Sequence, residues 1–167
     1  MRLNALLAVC VCWASPSFAD VQVRFDEGAP KDHFTISNID GCSLGATAIT
    51  IDLRGSPYGL IFDVTGRGAG VEVFQPFELS QGGENLKALP EVLDGDNQLT
   101  LDLNGLAAGA SISFTIDVDD TANNREITVS GAEIMGAGVV VRTQVSSSTA
   151  SFNEDAIANV VMSSCTS

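Results

Sequence analysis

The stretch SISFTIDVD, residues 111–119, alternates polar and apolar side chains at every position. One face of such an extended chain carries only apolar residues, because successive side chains of a strand point to opposite faces of its sheet. These apolar residues are Ile112, Phe114, Ile116 and Val118. A period of two residues, with one dry and one wet face, is typical of antiparallel sheets.

The same alternation recurs along the rest of the chain. It appears in VQVRFD (residues 21–26), AITIDLR (48–54) and QLTLDLN (98–104), and Gly, Pro, Asn and Asp residues that favour tight turns separate these stretches. We therefore predict an all-β fold, a single antiparallel β-sandwich of the immunoglobulin-like or jelly-roll type with roughly eight or nine strands. A closed barrel is the alternative.

Residues 1–19 have the pattern of a secretory signal peptide: a positive charge, the apolar run ALLAVCVCW and a small-residue cleavage site. The apolar run is shorter than the roughly 20 residues that span a membrane. We predict cleavage before Asp20, a secreted or periplasmic protein with no membrane span, and one β-sandwich domain over residues 20–167. The alternative, a lipoprotein modified at Cys10, lacks the small residue that such signals place before the cysteine.

The composition is strongly acidic, with 21 Asp and Glu residues against 8 Lys and Arg residues and a formal net charge of −13. Such a surface repels nucleic acid and anionic membranes, so neither is an expected partner. Because 45% of the residues are apolar and 17% are charged, the composition favours a folded domain over an acidic disordered tail. The acidic balance suits cation binding or simple solubility.

Cleavage of the signal peptide would leave two cysteines, Cys42 and Cys165. Two remaining cysteines in an exported protein most often pair, and we predict a Cys42–Cys165 disulfide. Two separate buried thiols are the alternative. The chain contains a single histidine, His33, and no Cys/His cluster, so the sequence does not favour a zinc or haem site.

The sequence predicts no catalytic residues and no enzymatic activity. It contains no GxSxG motif, and His33 lies at the start of a predicted strand rather than beside a recognisable nucleophile. Paired carboxylates can hydrolyse glycosidic bonds, and 21 acidic residues make some pairs inevitable. A carboxylate-dependent hydrolase is therefore retained as the weaker alternative.

The stretch IDVDDTANNRE, residues 116–126, carries the clearest sign of a ligand site. The strand alternation places Asp117 and Asp119 together on the wet face, and Asp120 begins the turn that two asparagines continue. Calcium takes about six to eight oxygen ligands, so a further donor is needed, and Asp63 in IFDVTG is the candidate. The possible calcium ligands are thus these four aspartates. The alternative is a plain acidic turn, which Asp and Asn side chains cap by hydrogen bonds.

Three stretches carry a resemblance to a known family: RFDEGAPKDHFTISN (residues 24–38), GLIFDVTGRGAGVEVFQPFEL (59–79) and FTIDVDDTANNREITVSGAEI (114–134). In this order they resemble exported bacterial proteins labelled aggregation factor core proteins, after the sponge adhesion proteoglycan. Sponge aggregation is calcium-dependent and carbohydrate-mediated, so the resemblance implies an exported module of adhesive or matrix type. The chain has no glycine-aspartate nonapeptide repeat, and the resemblance defines no site residues.

Together these observations predict a secreted or periplasmic, non-catalytic binding or cell-surface adhesion module. Its partner would be a cell-surface or matrix polymer, or another protein. The alternative is a structural matrix domain that calcium stabilises, with the hydrolase as the further alternative.

Overall fold

The computed structural model describes residues 20–29, 31–67, 74–121 and 128–162. These residues form eleven strands and two short 3₁₀ helices, Leu53–Gly55 and Gly83–Asn85, and all strand pairs are antiparallel. The predicted all-β, antiparallel fold is confirmed. In the described ranges, no helix has the length and apolar character needed to cross a membrane. The predicted signal peptide, residues 1–19, lies outside them.

The larger sheet has five strands. They are β1 (Val21–Asp26), β2 (Asp32–Asn38), β5 (Glu78–Gln81), β7 (Ser111–Ile116) and β11 (Ile157–Val160). Their order across the sheet is β11-β1-β2-β7-β5. β7, which carries the alternating stretch SISFTI, therefore lies inside the sheet, between β2 and β5.

The second sheet has four strands, and a further two-stranded pair stands apart from both. The four are β3 (Thr47–Asp52), β6 (Gln98–Leu103), β9 (Gly138–Arg142) and β10 (Ser147–Ser151), in the order β10-β9-β3-β6. The pair consists of β4 (Ile61–Phe62) and β8 (Val118–Asp119). The described strands outnumber the predicted eight or nine, because two-residue strands such as β4 and β8 are too short to show a period in the sequence.

One hydrophobic core fills the space between the two larger sheets, so they pack as a sandwich rather than closing into a barrel. The apolar face of β7 is fully buried, and its Phe114 ring lies 5.3 Å from Phe34 and 4.9 Å from Phe77 between centroids. The four-stranded sheet contributes buried Ile49, Ile51, Leu99, Leu101, Leu103, Val139 and Val141. The inward residues of both sheets follow the predicted period of two.

A buried asparagine fixes the loop that carries the predicted disulfide. Asn38 is fully buried, and its Nδ2 donates hydrogen bonds to the carbonyls of Cys42 at 2.8 Å and Leu106 at 3.0 Å. Cys42 is disulfide-bonded. Since Cys165 lies outside the described residues, the Cys42–Cys165 pairing stays a prediction.

Candidate functional site: a buried aspartate cluster

The short β4–β8 pair brings two distant acidic stretches together. Ile61 pairs with Asp119, and the backbone N–H of Asp63 donates to the carbonyl of Asp117 at 3.1 Å. Gln75 completes the arrangement, because its N–H donates to the carbonyl of Asp63 at 3.2 Å and its carbonyl accepts from the N–H of Asp117 at 3.1 Å. The structure thus places Asp63 beside Asp117 and Asp119, at the end of the sandwich where β7 ends.

The prediction that Asp117 and Asp119 lie on a solvent-exposed face is wrong. Their exposed fractions are 5% and 3%, and that of Asp63 is 0%. The alternation of β7 breaks after Ile116, because the segments that carry Asp63 and Gln75 hydrogen-bond to this part of the chain and cover it. The carboxylates that the sequence placed in solvent are therefore inside the protein.

The remaining members of the predicted site are only partly described. Asp120 directly follows β8 and is half-buried. The two asparagines that continue the predicted turn, residues 123 and 124, lie outside the described residues. Of the four predicted calcium ligands, the structure therefore brings three together as buried side chains, and the fourth is less enclosed.

Two further aspartates reach the same region, and the sequence analysis missed both. Asp32, which is 1% exposed, opens β2 and accepts hydrogen bonds from the N–H groups of Gly28 at 3.1 Å and Val118 at 2.9 Å. Asp94 Oδ1 accepts from the backbone amides of the two residues after Asp63, at 2.9 and 2.8 Å. In sequence, both lie in stretches that read as ordinary turns. The aspartate cluster is defined here as Asp32, Asp63, Asp94, Asp117 and Asp119.

Asp63 is the least satisfied member of the aspartate cluster. Both of its carboxylate oxygens are buried, and no described donor reaches them with hydrogen-bond geometry, although the Asp94 carboxylate and the Thr65 backbone amide lie close to the side chain. The second oxygen of Asp94 is in the same situation. Burying a carboxylate without donors costs several kcal/mol, so a buried group of this kind takes up a proton or pairs with a cation.

The electrostatics follow from this burial. Burial raises the pKa of Asp63 to about 7, and the carboxylates of Asp94 and Asp119 add to the effect. Burial likewise raises the pKa of Asp117 to about 8, with Asp32 and Asp119 adding to it. Asp32 has its pKa raised to about 7 by burial, although its two backbone hydrogen bonds oppose the change. Burial also acts to raise the pKa of Asp94, but the backbone amides of Thr65 and Val64, together with the side chains of Asp63 and Thr65, lower it.

The aspartate cluster has the chemistry of a hard-cation site but not yet its geometry. Carboxylate oxygens are the ligands that calcium and magnesium prefer. Within the four described ranges, no three His, Cys, Asp or Glu side chains are already arranged to hold a metal ion. Cation binding would therefore require the carboxylates to rotate toward one another. Because four of the five side chains are at most 5% exposed, they do not offer a polymer substrate the access that a hydrolase needs.

Comparison with known proteins provides no family for this chain: no family model matches it, and no curated protein is significantly similar to it. The resemblance to aggregation factor core proteins stays a prediction.

Proposed function

We propose that the chain is an exported, non-catalytic binding module of the cell-surface adhesion type, and that calcium in the aspartate cluster stabilises its β-sandwich. The signal-peptide pattern of residues 1–19 and the resemblance to exported adhesion proteins support the first part. The observation that carries the second part is Asp63, whose two buried oxygens have no donor with hydrogen-bond geometry among the described residues and lie beside the carboxylates of Asp94 and Asp119. The charged groups that act on it are the carboxylates of Asp94 and Asp119, so Asp63 needs a cation from solution whenever it is ionised.

Calcium fits this site better than magnesium does. Magnesium demands near-ideal octahedral geometry and usually retains several waters, whereas calcium accepts irregular sets of oxygen ligands, including backbone carbonyls. Four members of the aspartate cluster are buried and Asp94 is half-buried, and the five come from four separate segments of the chain. An irregular, largely protein-made set of ligands is the kind that calcium tolerates.

A cation at this position would stabilise the fold by linking segments that are distant in sequence. Asp32 is the first residue of β2 in the five-stranded sheet. Asp63 directly follows β4, and Asp94 lies just before β6 of the four-stranded sheet. Because these ligands lie near one another only in the folded state, the free energy of cation binding adds to the stability of the fold. The module would then present its surfaces to a matrix polymer or another protein only when calcium is abundant, as it is outside cells.

We expect millimolar calcium to raise the melting temperature of the exported protein relative to chelator. A ligand at about a hundredfold excess over its Kd stabilises the native state by about 2.7 kcal/mol. For a domain of this size, each kcal/mol shifts the melting temperature by about 2–4 °C, so a shift of about 5–10 °C is expected. Thermal melting followed by circular dichroism at pH 7.5 measures it.

Two substitutions and one ion provide the controls. Asp63→Asn keeps the shape of the side chain but removes its charge, and it should abolish the shift. Asp155→Asn removes an exposed carboxylate far from the cluster in sequence, and it should leave the shift intact. If wild-type protein melts at the same temperature in calcium and chelator, or if magnesium gives the same shift, the calcium proposal is wrong.

A further inference from the structure

The outer face of the four-stranded sheet contains a pocket of about 230 Å³ that shares no residue with the aspartate cluster. Its floor is Ala48 of β3, which pairs with Arg142 of β9 on one side and with Asp102 of β6 on the other. Because alanine is the smallest side chain in this row, it leaves a depression between its longer neighbours. Lys87 closes one edge, since its backbone N–H donates to the carbonyl of Asp102 at 2.8 Å, and Gln144 also lines the pocket.

The charge of this pocket is opposite to that of the chain. Lys87 and Arg142 supply two positive charges against the one negative charge of Asp102, in a protein whose net charge is −13. The ion pairs between described residues lie elsewhere, at Arg24–Asp26, Lys31–Glu78 and Arg54–Asp52. Neither Lys87 nor Arg142 takes part in them. Both side chains are exposed, so two cations converge on an open depression.

We infer that this pocket binds a carboxylate-bearing sugar residue, which gives the proposed binding module a ligand class. The planar guanidinium of Arg142 matches a carboxylate with two parallel hydrogen bonds, and the ammonium of Lys87 adds a second, flexible charge. Asp102 accepts hydrogen bonds from hydroxyl groups, and the Gln144 amide both donates and accepts. A small inorganic anion is repelled by Asp102, whereas a ligand that carries both a carboxylate and hydroxyl groups can use the two cations, Asp102 and Gln144 together.

The size of the pocket supports a single sugar residue as the bound unit. Sites for drug-sized ligands occupy about 300–1,000 Å³, and this pocket is smaller. It lies on an open sheet face, so the neighbouring residues of an acidic polysaccharide can continue over the surface. The inference does not rest on calcium, because Asp63 and its neighbours lie outside the pocket.

The test is a nuclear magnetic resonance titration of the full exported chain with trigalacturonate and, separately, with its methyl ester, at one fixed calcium concentration. The ester keeps the hydroxyl groups and loses the charges. We expect shift changes at the amides of Ala48, Arg142 and Thr143, and an affinity for the ester at least about tenfold lower. Arg142→Gln should lower the affinity for the acid by about tenfold, which corresponds to about 1.4 kcal/mol.

Arg24→Gln is the matched control, because Arg24 is an exposed cation on the other sheet. The affinity of this variant for trigalacturonate should equal that of wild type. Equal affinities for acid and ester, an unchanged affinity in Arg142→Gln, or shift changes confined to another surface would each overturn the inference. Competition by sulfate at the same concentration as trigalacturonate would reduce the pocket to a simple anion site and overturn it as well. Asp63→Asn, which should abolish the calcium response, should still bind trigalacturonate if it remains folded, so failure of one proposal is distinguishable from failure of the other.

Discussion

In metal-free buffer, the protein is expected to become more stable as the pH falls from 7 to 5. Asp32, Asp63 and Asp117 have pKa values raised to about 7, 7 and 8 in the folded state, whereas an unfolded aspartate titrates near pH 3.9, to a rough approximation. Between these limits the folded protein holds protons that the unfolded chain has released, so higher pH favours unfolding. The stabilising effect is complete below the unfolded value and is lost as the pH rises through the folded values.

The size of this effect follows from the number of protons. One proton changes the free energy of unfolding by about 1.4 kcal/mol per pH unit, so even a single retained proton gives about 3 kcal/mol between pH 5 and pH 7. Urea denaturation at the two pH values measures it. Calcium should flatten the dependence, because a cation replaces the protons in the aspartate cluster, and Asp63→Asn should reduce it. A metal-free protein that becomes less stable on going from pH 7 to pH 5 would contradict the buried aspartate cluster.

Phe114→Ala is expected to lower the free energy of unfolding by about 3–5 kcal/mol. The substitution removes a fully buried ring from an interior strand of the five-stranded sheet and leaves a cavity between Phe34 and Phe77. Phenylalanine-to-alanine changes in protein cores cost this amount because they combine lost burial with the cavity that remains. Urea denaturation at pH 5, below the raised pKa values of Asp32, Asp63 and Asp117, separates this effect from calcium.

Leu89→Ala is the control for this substitution. The Leu89 side chain is 66% exposed, so its removal should change the free energy of unfolding by less than about 0.5 kcal/mol. A cost below about 1 kcal/mol for Phe114→Ala would mean that β7 does not lie at the centre of the sandwich.

The sandwich could be predicted from the sequence because the alternation that defines each strand is a local pattern. The inward residues of β7, such as Ile112 and Phe114, alternate with polar residues, and this period alone determines which side chains face the core. The prediction places Asp63 near Asp117, and in the structure the two residues are neighbours joined by a backbone hydrogen bond. The sequence does not reveal how β4 pairs with β8, however, because a pairing of two residues leaves no periodic signal.

The burial of the acidic residues was not predictable in the same way. Asp117 and Asp119 continue the alternation of β7 in sequence, and only the contacts with Asp63 and Gln75 enclose them. Asp32 and Asp94 resemble the capping residues of ordinary turns, and they do accept backbone hydrogen bonds as such residues do. Their membership of the aspartate cluster becomes visible only in the folded structure, where distant segments of the chain meet.

The pocket on the outer sheet face was missed for a related reason. Lys87, Asp102 and Arg142 are widely separated in the chain, and each looks like a solvated surface residue. The register of β3 with β6 and β9 places Asp102 and Arg142 on either side of Ala48. A site of this kind depends on which residue of each strand stands opposite which, and a one-residue slip would move every member to the other face.

The most direct test of the central claim is calorimetric titration of calcium into the metal-free protein at pH 7.5, repeated in buffers of different ionisation enthalpy. Wild type is predicted to bind about one calcium ion per chain in the aspartate cluster and to release protons as it does so, because carboxylates with raised pKa values must lose their protons to coordinate a cation. Asp63→Asn is predicted to bind none, and Asp155→Asn to bind as wild type does. Saturable binding that survives in Asp63→Asn, or no saturable binding in wild type, would contradict the claim that the aspartate cluster is a calcium site.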